Sequence, residues 1–344
     1  MNFAKLNIQG MKPYSPPLDG RRKFNGILLD FNERTIPPSP KVRNALINFV
    51  QNGDLQIYPE YNDLQKRIAE YAGVKSGQIM LTSGSDQGID LIFRTFTKAD
   101  DQVIIPSPSF AMFYQCAEIA GNTIIKPEYK SDGNFPLEEV LQSITPKIKL
   151  IVICNPNNPT GTLILPDVIE IIAKKAPKSI IYIDEAYYEF SGVTAVSLVK
   201  KYPNIVITRT FSKAFGLSSL RIAYAIASPS NIQEMMKIRG PYDVNFLACI
   251  AAKASLNDLA GLKKYVNEVM NEAKPMVEKF FRKKKIEFIK SGSNFILFKS
   301  KNKKIFKSLK KQGILLRPQK DGQLRLTIGT KNQMKKFINA YNNL

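Results

Sequence analysis

Short apolar runs alternate with stretches of helical periodicity along most of the chain. The apolar runs lie at residues 79–82, 103–105, 124–125, 150–154, 180–183, 205–208 and 222–227. Between them, residues 41–49, 63–71 and 84–96 carry apolar positions at helical spacing, and Gly73 stands where a helix is expected to end. Runs that are apolar throughout are typical of parallel strands that helices cover on both faces. The pattern therefore predicts an α/β domain with three layers around a mostly parallel sheet.

The pattern changes near residue 258, where a long charged helix is predicted to continue to residue 285. Short strands are predicted after it at residues 286–289, 295–298, 314–317 and 324–328, with helices at residues 303–312 and 331–343. This order indicates a smaller α+β domain. Because 344 residues exceed what one hydrophobic core usually holds, we expect three parts. They are an N-terminal arm of residues 1–36 associated with the small domain, a large domain of residues 37–257 and a small C-terminal domain of residues 258–344.

The composition is that of a soluble globular protein, with 44% hydrophobic residues. No apolar run approaches the length of a membrane span, and the first residues carry no apolar signal segment. The three cysteines, Cys116, Cys154 and Cys249, are widely spaced and lack the spacing of a metal site. We therefore expect a cytoplasmic protein with reduced thiols, no bound metal and no membrane contact.

The chain contains no histidine, which restricts the chemistry that it can perform. A Ser-His or Cys-His triad and a histidine-ligated zinc site are both excluded. Proton transfer must therefore fall to lysine, tyrosine or a carboxylate.

The chain is strongly basic, with 50 Lys and Arg against 29 Asp and Glu and a formal net charge of +21. A positive field attracts anionic small molecules and also nucleic acid. The lysines are dispersed over predicted helix faces and are not interleaved with aromatic residues, which favours an ordinary solvated surface. We expect no nucleic-acid partner.

Lys213 lies within residues 210–221, just after the apolar run 205–208, among hydroxyl side chains and eight positions before Arg221. A lysine amine becomes a nucleophile when burial or neighbouring cations disfavour its charge, and it can then hold an aldehyde cofactor. Thr210, Ser212 and Arg221 can bind an anion such as the cofactor's phosphate. On this segment alone an exposed surface lysine is the simpler interpretation, but two further segments favour a reactive one.

Two other apolar runs also end in polar side chains. Residues 150–154 lead into an Asn-, Pro- and Gly-rich turn at 155–161, which places side-chain amides at the carboxyl end of a strand. Residues 180–183 end at Asp184, whose carboxylate can pair with a pyridinium nitrogen, and Tyr187 can offer its hydroxyl to a ring oxygen. Open α/β sheets bind ligands at this edge, so the three segments predict one shared site.

The order of these segments resembles the fold type I aminotransferases, which use pyridoxal 5'-phosphate (PLP). Strands are followed in turn by Asn-Pro-Thr-Gly, by Asp-Glu-Ala-Tyr and by Ser-Lys with an arginine eight positions later. Within that superfamily the chain is most similar to the histidinol-phosphate aminotransferases, from about residue 13 to residue 330. Weaker markers of that similarity are Pro13-Tyr14, Phe31-Asn-Glu33, Tyr58-Pro-Glu60, Gly84-Ser-Asp86, Pro108-Ser-Phe110 and residues 324–329.

The resemblance implies roles for the residues that match the family motifs. Lys213 would bind PLP covalently and move the proton during the reaction, Asp184 would hold the pyridinium, and Tyr187 and Asn158 would hydrogen-bond the ring oxygen. The ring would lie between Phe110 and Ala186; the family more often carries Tyr at the first position, so a hydroxyl is lost here. The cofactor phosphate would be bound by Ser85, Asp86, Thr210, Ser212, Arg221 and, from the second subunit of a homodimer, Tyr58.

The resemblance also implies a substrate site. Arg325 would bind the substrate anion, assisted by Arg317, Tyr14 and Asn158, and two arginines suit a phosphate monoester better than a carboxylate. An alternative is that Arg317 is a rim charge of little effect. The loop Glu33-Arg34-Thr35 departs from the family, which more often has Asn and Pro after the Glu, and it bears on specificity.

The expected activity is PLP-dependent transamination of L-histidinol phosphate with 2-oxoglutarate, giving imidazole acetol phosphate and glutamate, a step of histidine biosynthesis. An aromatic amino-acid aminotransferase is the nearest alternative, followed by a threonine-phosphate decarboxylase on the same fold. A nucleic-acid-binding regulator is an alternative from another class, although no helix-turn-helix pattern accompanies the predicted domains.

Overall fold

We describe the protein from a computed structural model, which covers residues 3–302 and 304–344. The strands are β1 Ile27–Leu29, β2 Ile79–Thr82, β3 Gln102–Ile104, β4 Thr123–Ile125, β5 Ile148–Cys154, β6 Ile180–Asp184, β7 Ile205–Thr210, β8 Ala223–Ala227, β9 Glu287–Phe288, β10 Phe295–Lys299, β11 Ile314–Pro318 and β12 Gln323–Thr327. The helices are α1 Leu6–Gln9, α2 Pro40–Asn52, α3 Asn62–Ala72, α4 Gly84–Phe96, α5 Ala111–Ala120, α6 Leu137–Ser143, α7 Pro166–Lys175, α8 Tyr188–Ser191, α9 Pro229–Ile238, α10 Phe246–Leu256, α11 Leu259–Asn267, α12 Lys274–Lys283, α13 Ile305–Lys311 and α14 Lys331–Asn342.

Seven of the described strands form one sheet in the order β2-β8-β7-β6-β5-β3-β4. All neighbours are parallel except β8, which runs antiparallel to β2 and β7. Alternate residues of β5 belong to two separate apolar cores, with Ile151 and Ile153 in one and Leu150 and Val152 in the other. Because successive strand side chains point to opposite faces, these cores are the two faces of the sheet under helices. The predicted three-layer α/β architecture with a mostly parallel sheet is confirmed.

A second sheet has the order β1-β11-β12-β10-β9. Its C-terminal strands are antiparallel to one another, whereas β1 pairs in parallel with β11. The sequence pattern did not predict β1, which is only three residues long. This pairing holds the chain before residue 30 against the C-terminal strands.

The predicted elements agree with the structure to within three residues at their ends. Gly73 does end α3, at φ 70°. The predicted first residue of the helix at 303–312, Lys303, lies outside the described residues. The long charged helix at 258–285 differs, because α11 and α12 are joined by a π-helix, Glu268–Ala273. Pro275, the second residue of α12, has no N–H to donate to the preceding turn, so regular α-helical hydrogen bonding is interrupted there.

The described residues contain neither a candidate membrane span nor a candidate metal site. None of their helices combines the length and the apolar character needed to cross a membrane. They also contain no cluster of three or more Cys, Asp or Glu side chains placed to hold a metal ion.

Candidate active site

A cavity of about 600 Å³ opens at the carboxyl ends of the central strands. Asn158 follows β5, Asp184 ends β6 and Lys213 follows β7, and these three strands are parallel neighbours. The cavity is lined by the predicted cofactor residues Ser85, Asp86, Phe110, Asn158, Asp184, Ala186, Tyr187, Thr210, Ser212, Lys213 and Arg221. An adjoining cavity of about 360 Å³ is lined by the predicted substrate residues Tyr14, Asn158, Arg317 and Arg325. The structure therefore brings both predicted sets together.

Lys213 is partly buried where the two cavities meet. Its Nζ donates to the carbonyl oxygen of Phe31 at 3.0 Å and lies 5.9 Å from the ring centre of Tyr187. Burial, followed by repulsion from the Arg325 guanidinium, lowers the pKa of Lys213 to about 8. An amine with this pKa is partly neutral near physiological pH and is a competent nucleophile.

Asp184 lies opposite Cys154 and Thr208 in the register of the parallel strands. Its Oδ1 accepts hydrogen bonds from Thr208 Oγ1 and from the backbone N–H of Ala186, both at 3.2 Å. Burial raises the pKa of Asp184 to about 7. A buried carboxylate of this kind favours a cationic partner, and a pyridinium N–H in the cavity would supply one.

Tyr187 is oriented by a residue to which the sequence analysis gave no role. Asn32 Nδ2 donates to the Tyr187 hydroxyl oxygen at 3.0 Å, and Asn32 itself is fully buried with φ 57°. Its backbone N–H donates to Thr327 Oγ1 at 3.0 Å, and its carbonyl accepts from Asn294 Nδ2 at 3.2 Å. Because the Tyr187 oxygen accepts from Asn32, its own proton remains available to a ligand. The motif Phe31-Asn-Glu33, noted above as a weak family marker, contains Asn32 and is the sequence signal from which its importance could have been inferred.

Ser85, Asp86, Thr210, Ser212 and Arg221 surround one end of the larger cavity, which we call the phosphate cup. Arg221 donates to Asp86 Oδ2 at 2.9 Å and to the Ser218 carbonyl at 3.1 Å. The Ser85 hydroxyl is buried and has no hydrogen-bond partner among the described residues. The first-turn N–H groups of α4 lack partners within the helix and face the same end.

Gly84 allows the guanidinium of Arg221 to approach the start of α4. It has φ 77°, and a Cβ at this position would lie 2.4 Å from Arg221 Nη2. A partnerless buried hydroxyl, helix-start amides and a close arginine are the groups that a phosphate requires. The phosphate cup therefore fits the phosphate of PLP, and Asp184 and Tyr187 fit its ring.

Two arginines lie side by side at the other end of the site. Arg317 and Arg325 face each other across the antiparallel pair β11 and β12. Arg325 donates to the Asp30 carbonyl at 2.7 Å and to Asn158 Oδ1, and Arg317 lies 5.1 Å from the ring centre of Phe31. Arg325 Nε and Arg317 Nη1 are buried without a hydrogen-bond partner in the described part of the chain. Burial lowers the pKa of Arg325, and an anion bound in the cavity would offset the cost of burying this charge.

The N-terminal arm covers the larger cavity and contributes residues that the sequence analysis did not assign. Arg21 binds the carboxylate of Asp30 with two nitrogens, at 2.9 and 2.7 Å, and also contacts Glu33. Within the unusual loop, Glu33 lines the cavity. Arg34 instead donates to the Ala214 carbonyl at 3.1 Å and lies 4.2 Å from the ring centre of Tyr265.

Tyr58 stands apart from both cavities. Its side chain is 72% exposed and stacks on Tyr242, with ring centres 4.3 Å apart and planes inclined at 25°. Leu55 and Ile57 are exposed beside it in the chain. Its predicted contact with the cofactor of a second subunit remains a prediction.

Comparisons with known proteins extend over almost the whole chain. The sequence profile of the family described as aminotransferase class I and II matches residues 25–340. A histidinol-phosphate aminotransferase of Lactiplantibacillus plantarum is 36% identical over 98% of this chain and 99% of its own. A dihydroxyacetone phosphate transaminase of Campylobacter jejuni is 37% identical over 96% and 94%.

Solved structures agree with the fold. The histidinol-phosphate aminotransferase of Sinorhizobium meliloti, in complex with pyridoxal-5'-phosphate, superposes with a TM-score of 0.89 at 22% identity, over 100% of this chain and 97% of that one. That of Clostridium acetobutylicum gives 0.84 at 25% identity over 92% and 100%.

Proposed function

Since the chain belongs to the class I and II aminotransferase family, we propose that it transfers the amino group of L-histidinol phosphate to 2-oxoglutarate with PLP as cofactor. The products would be imidazole acetol phosphate and glutamate, as in histidine biosynthesis. The family membership confirms the resemblance inferred from the motifs and the aminotransferase activity that it implied. The observation that carries the choice of substrate is the pair Arg317 and Arg325, whose buried nitrogens lack a hydrogen-bond partner among the described residues.

Different residues around the cavity would bind different parts of the cofactor. The phosphate cup would bind the phosphate, Asp184 would accept the pyridinium N–H, and Tyr187 and Asn158 would donate to the ring oxygen. Phe110 and Ala186 would pack against the ring faces. When bound, PLP supplies an electron sink for the charge that develops at the amine-bearing carbon.

Lys213 is proposed as the acid and base of the reaction. Its lowered pKa allows the neutral amine to accept a proton from the amine-bearing carbon of the substrate. The same amine would then deliver the proton to the carbon of the cofactor that takes up the amino group. Arg325 keeps that amine from holding its proton too strongly, because the two cations repel each other. Tyr187 holds its proton firmly, since burial raises its pKa, and serves as a donor throughout.

Two adjacent guanidinium groups suit a phosphate dianion better than the single charge of a carboxylate. Tyr14 lines the same cavity and can add a hydroxyl donor. Dihydroxyacetone phosphate is a second candidate substrate, because the Campylobacter relative is named for it. Like histidinol phosphate, this compound carries a phosphate ester. In both compounds the reacting carbon is one CH₂ group away from the phosphate ester. Phenylalanine and threonine phosphate represent the remaining alternatives.

The decisive experiment mixes PLP-loaded protein with one amine at a time, without any keto acid, and follows the absorbance of the bound cofactor. Three amines are compared by the concentration needed to change this absorbance. They are histidinol phosphate, phenylalanine and the amine that corresponds to dihydroxyacetone phosphate. A response to histidinol phosphate at far lower concentration supports the proposal. A preference for phenylalanine would favour an aromatic aminotransferase, and carbon dioxide release from threonine phosphate would favour a decarboxylase.

Replacing Arg317 should affect phosphorylated substrates selectively. In Arg317→Met, KM for histidinol phosphate is expected to rise about 10- to 100-fold, because a charge-assisted contact to the phosphate is lost. The KM for phenylalanine should change little. Steady-state kinetics with both substrates measure this, with Arg282→Met, at an exposed position on α12, as the control. Equal loss for both substrates would mean that Arg317 does not contact the phosphate.

The reaction of Lys213 with PLP should depend on pH. Because only the neutral amine reacts, the rate of PLP attachment to the cofactor-free protein should rise as pH increases through about 8. In Arg325→Met the neighbouring cation is gone, so the pKa of Lys213 rises and the midpoint moves to higher pH. Stopped-flow absorbance gives both midpoints, and Arg282→Met should leave the midpoint unchanged. A midpoint unaffected by Arg325→Met would contradict the assigned repulsion.

We further propose a cytoplasmic homodimer in which Tyr58 reaches the cofactor phosphate of the partner subunit. The exposed side chains of Tyr58, Leu55 and Ile57, which are close together in the chain, support this, since clustered exposed apolar side chains mark interaction surfaces. The three proposed parts are residues 1–36, 37–257 and 258–344, and the pairing of β1 with β11 supports the association of the arm with the small domain.

A further inference from the structure

Residues 239–245, between α9 and α10, touch both walls of the phosphate cup. On one wall, Gln87 Nε2 of α4 donates to Asp243 Oδ2 at 2.6 Å. On the other, Asn245 Nδ2 donates at 2.9 Å to the carbonyl of Leu220, which precedes Arg221. This segment therefore braces the two walls that would enclose the cofactor phosphate.

Gln87 is bonded at both ends of its amide. Its Oε1 accepts the N–H of Ser83 at 2.6 Å, directly before the first turn of α4. Its Nε2 holds Asp243, whose Oδ1 also accepts from Arg239 Nε at 2.9 Å and from Arg239 Nη2 at 2.6 Å. A displacement of the segment would therefore be transmitted to the start of α4.

The same segment carries an exposed aromatic residue. Tyr242 precedes Asp243, is 57% exposed and stacks on Tyr58. The segment is also fixed to the chain near Tyr58, because the Tyr61 hydroxyl donates to the Val244 carbonyl at 2.8 Å and Arg239 lies 5.1 Å from the Tyr61 ring centre. The phosphate cup and the stacked tyrosines are thus joined by a continuous set of contacts.

We propose that Gln87 and Asp243 are positioning residues that couple PLP binding in the phosphate cup to association with a second copy of the chain through Tyr58 and Tyr242. This rests on the proposed function, in which PLP fills the cup and the tyrosines meet the partner. The coupling is reciprocal: if association aligns the cup, PLP strengthens association by the same factor.

The first test is Gln87→Met, which removes both hydrogen bonds without adding charge. The dissociation constant of PLP, measured by fluorescence titration, is expected to rise about tenfold. Sedimentation velocity with and without PLP gives the factor by which PLP tightens the dimer. That factor should exceed one in the wild type and fall towards one in the variant.

An exchange of the two side chains controls for charge and for misfolding. Gln87→Glu sets two carboxylates against each other and should weaken PLP binding further. Adding Asp243→Asn should restore it, because the amide at 243 then donates to the carboxylate at 87, which still accepts the Ser83 N–H. Asp90→Asn, a part-exposed position on α4 paired with Arg94, is the matched control. This pattern is not expected of residues that only maintain the fold.

Unchanged PLP affinity in Gln87→Met, an undiminished effect of PLP on dimer association in that variant, or a double variant no better than Gln87→Glu would overturn the coupling. A wild-type protein that binds no PLP would instead contradict the proposed function. The two ideas therefore fail by different measurements.

Discussion

Lys213→Ala is expected to lower kcat by about 10⁴-fold or more, because both the covalent attachment of the cofactor and the proton transfer depend on one amine. The fold should persist, since Lys213 Nζ makes its hydrogen bond to a loop carbonyl, that of Phe31. Steady-state kinetics measure the loss. A parallel assay treats the PLP-loaded protein with borohydride and locates the modified lysine by peptide mass spectrometry.

Lys274 provides the matched control for Lys213. Burial lowers the pKa of its amine, as it does for Lys213, but the Lys274 amine contacts the Ser291 carbonyl away from the cavity. Borohydride should therefore fix PLP to Lys213 and leave Lys274 unmodified. Modification spread over several lysines, with kcat preserved in Lys213→Ala, would show that Lys213 is not the cofactor lysine.

Asp184→Asn is expected to lower kcat by about 10³-fold, because an amide cannot stabilise the pyridinium charge on which the electron sink depends. The substitution is nearly isosteric, and the amide oxygen that it introduces can still accept from Thr208 and from the Ala186 N–H. Kinetics should show the loss in kcat with little change in KM for the amine substrate. A loss confined to KM would assign Asp184 to substrate binding instead.

The same substitution should stabilise the PLP-free protein at neutral pH. In the folded protein the pKa of Asp184 is raised to about 7 from its ordinary value of 3.8, so the folded state binds more protons than the unfolded state between these values. The wild type therefore loses stability as pH rises from about 4 to about 7, and Asp184→Asn does not. Thermal unfolding across this range should show the Tm difference growing with pH. The variant would then be less active and more stable, as expected of a functional rather than a structural carboxylate.

Much of the site was predictable because parallel strands bring distant segments to one edge. Asn158, Asp184 and Lys213 each come shortly after a largely apolar run, and such runs have few alternatives to a buried parallel strand. The parallel strands therefore place the three segments at one edge of the sheet, and the loops decide how closely the side chains meet. The resemblance then supplied their roles, which the residues alone left open.

Other features depend on contacts that have no local signature. Asn32 contacts Tyr187 across 155 positions of the chain, and its positive φ could not be predicted from the presence of an asparagine alone. The strand β1 is too short to show the alternation of side chains that identifies a strand. The hydrogen bond between Gln87 and Asp243 joins residues 156 positions apart. Tertiary packing determines each of these, so they emerged only from the structure.

The two arginines proposed for the substrate site belong to one hairpin, β11 and β12, whereas the residues proposed for the cofactor belong to other segments. In the proposed function, substrate selectivity and cofactor chemistry would therefore rest on largely separate parts of the chain, with Asn158 lining both cavities. The same separation makes this hairpin the place to graft when a protein engineer wants another substrate on this scaffold.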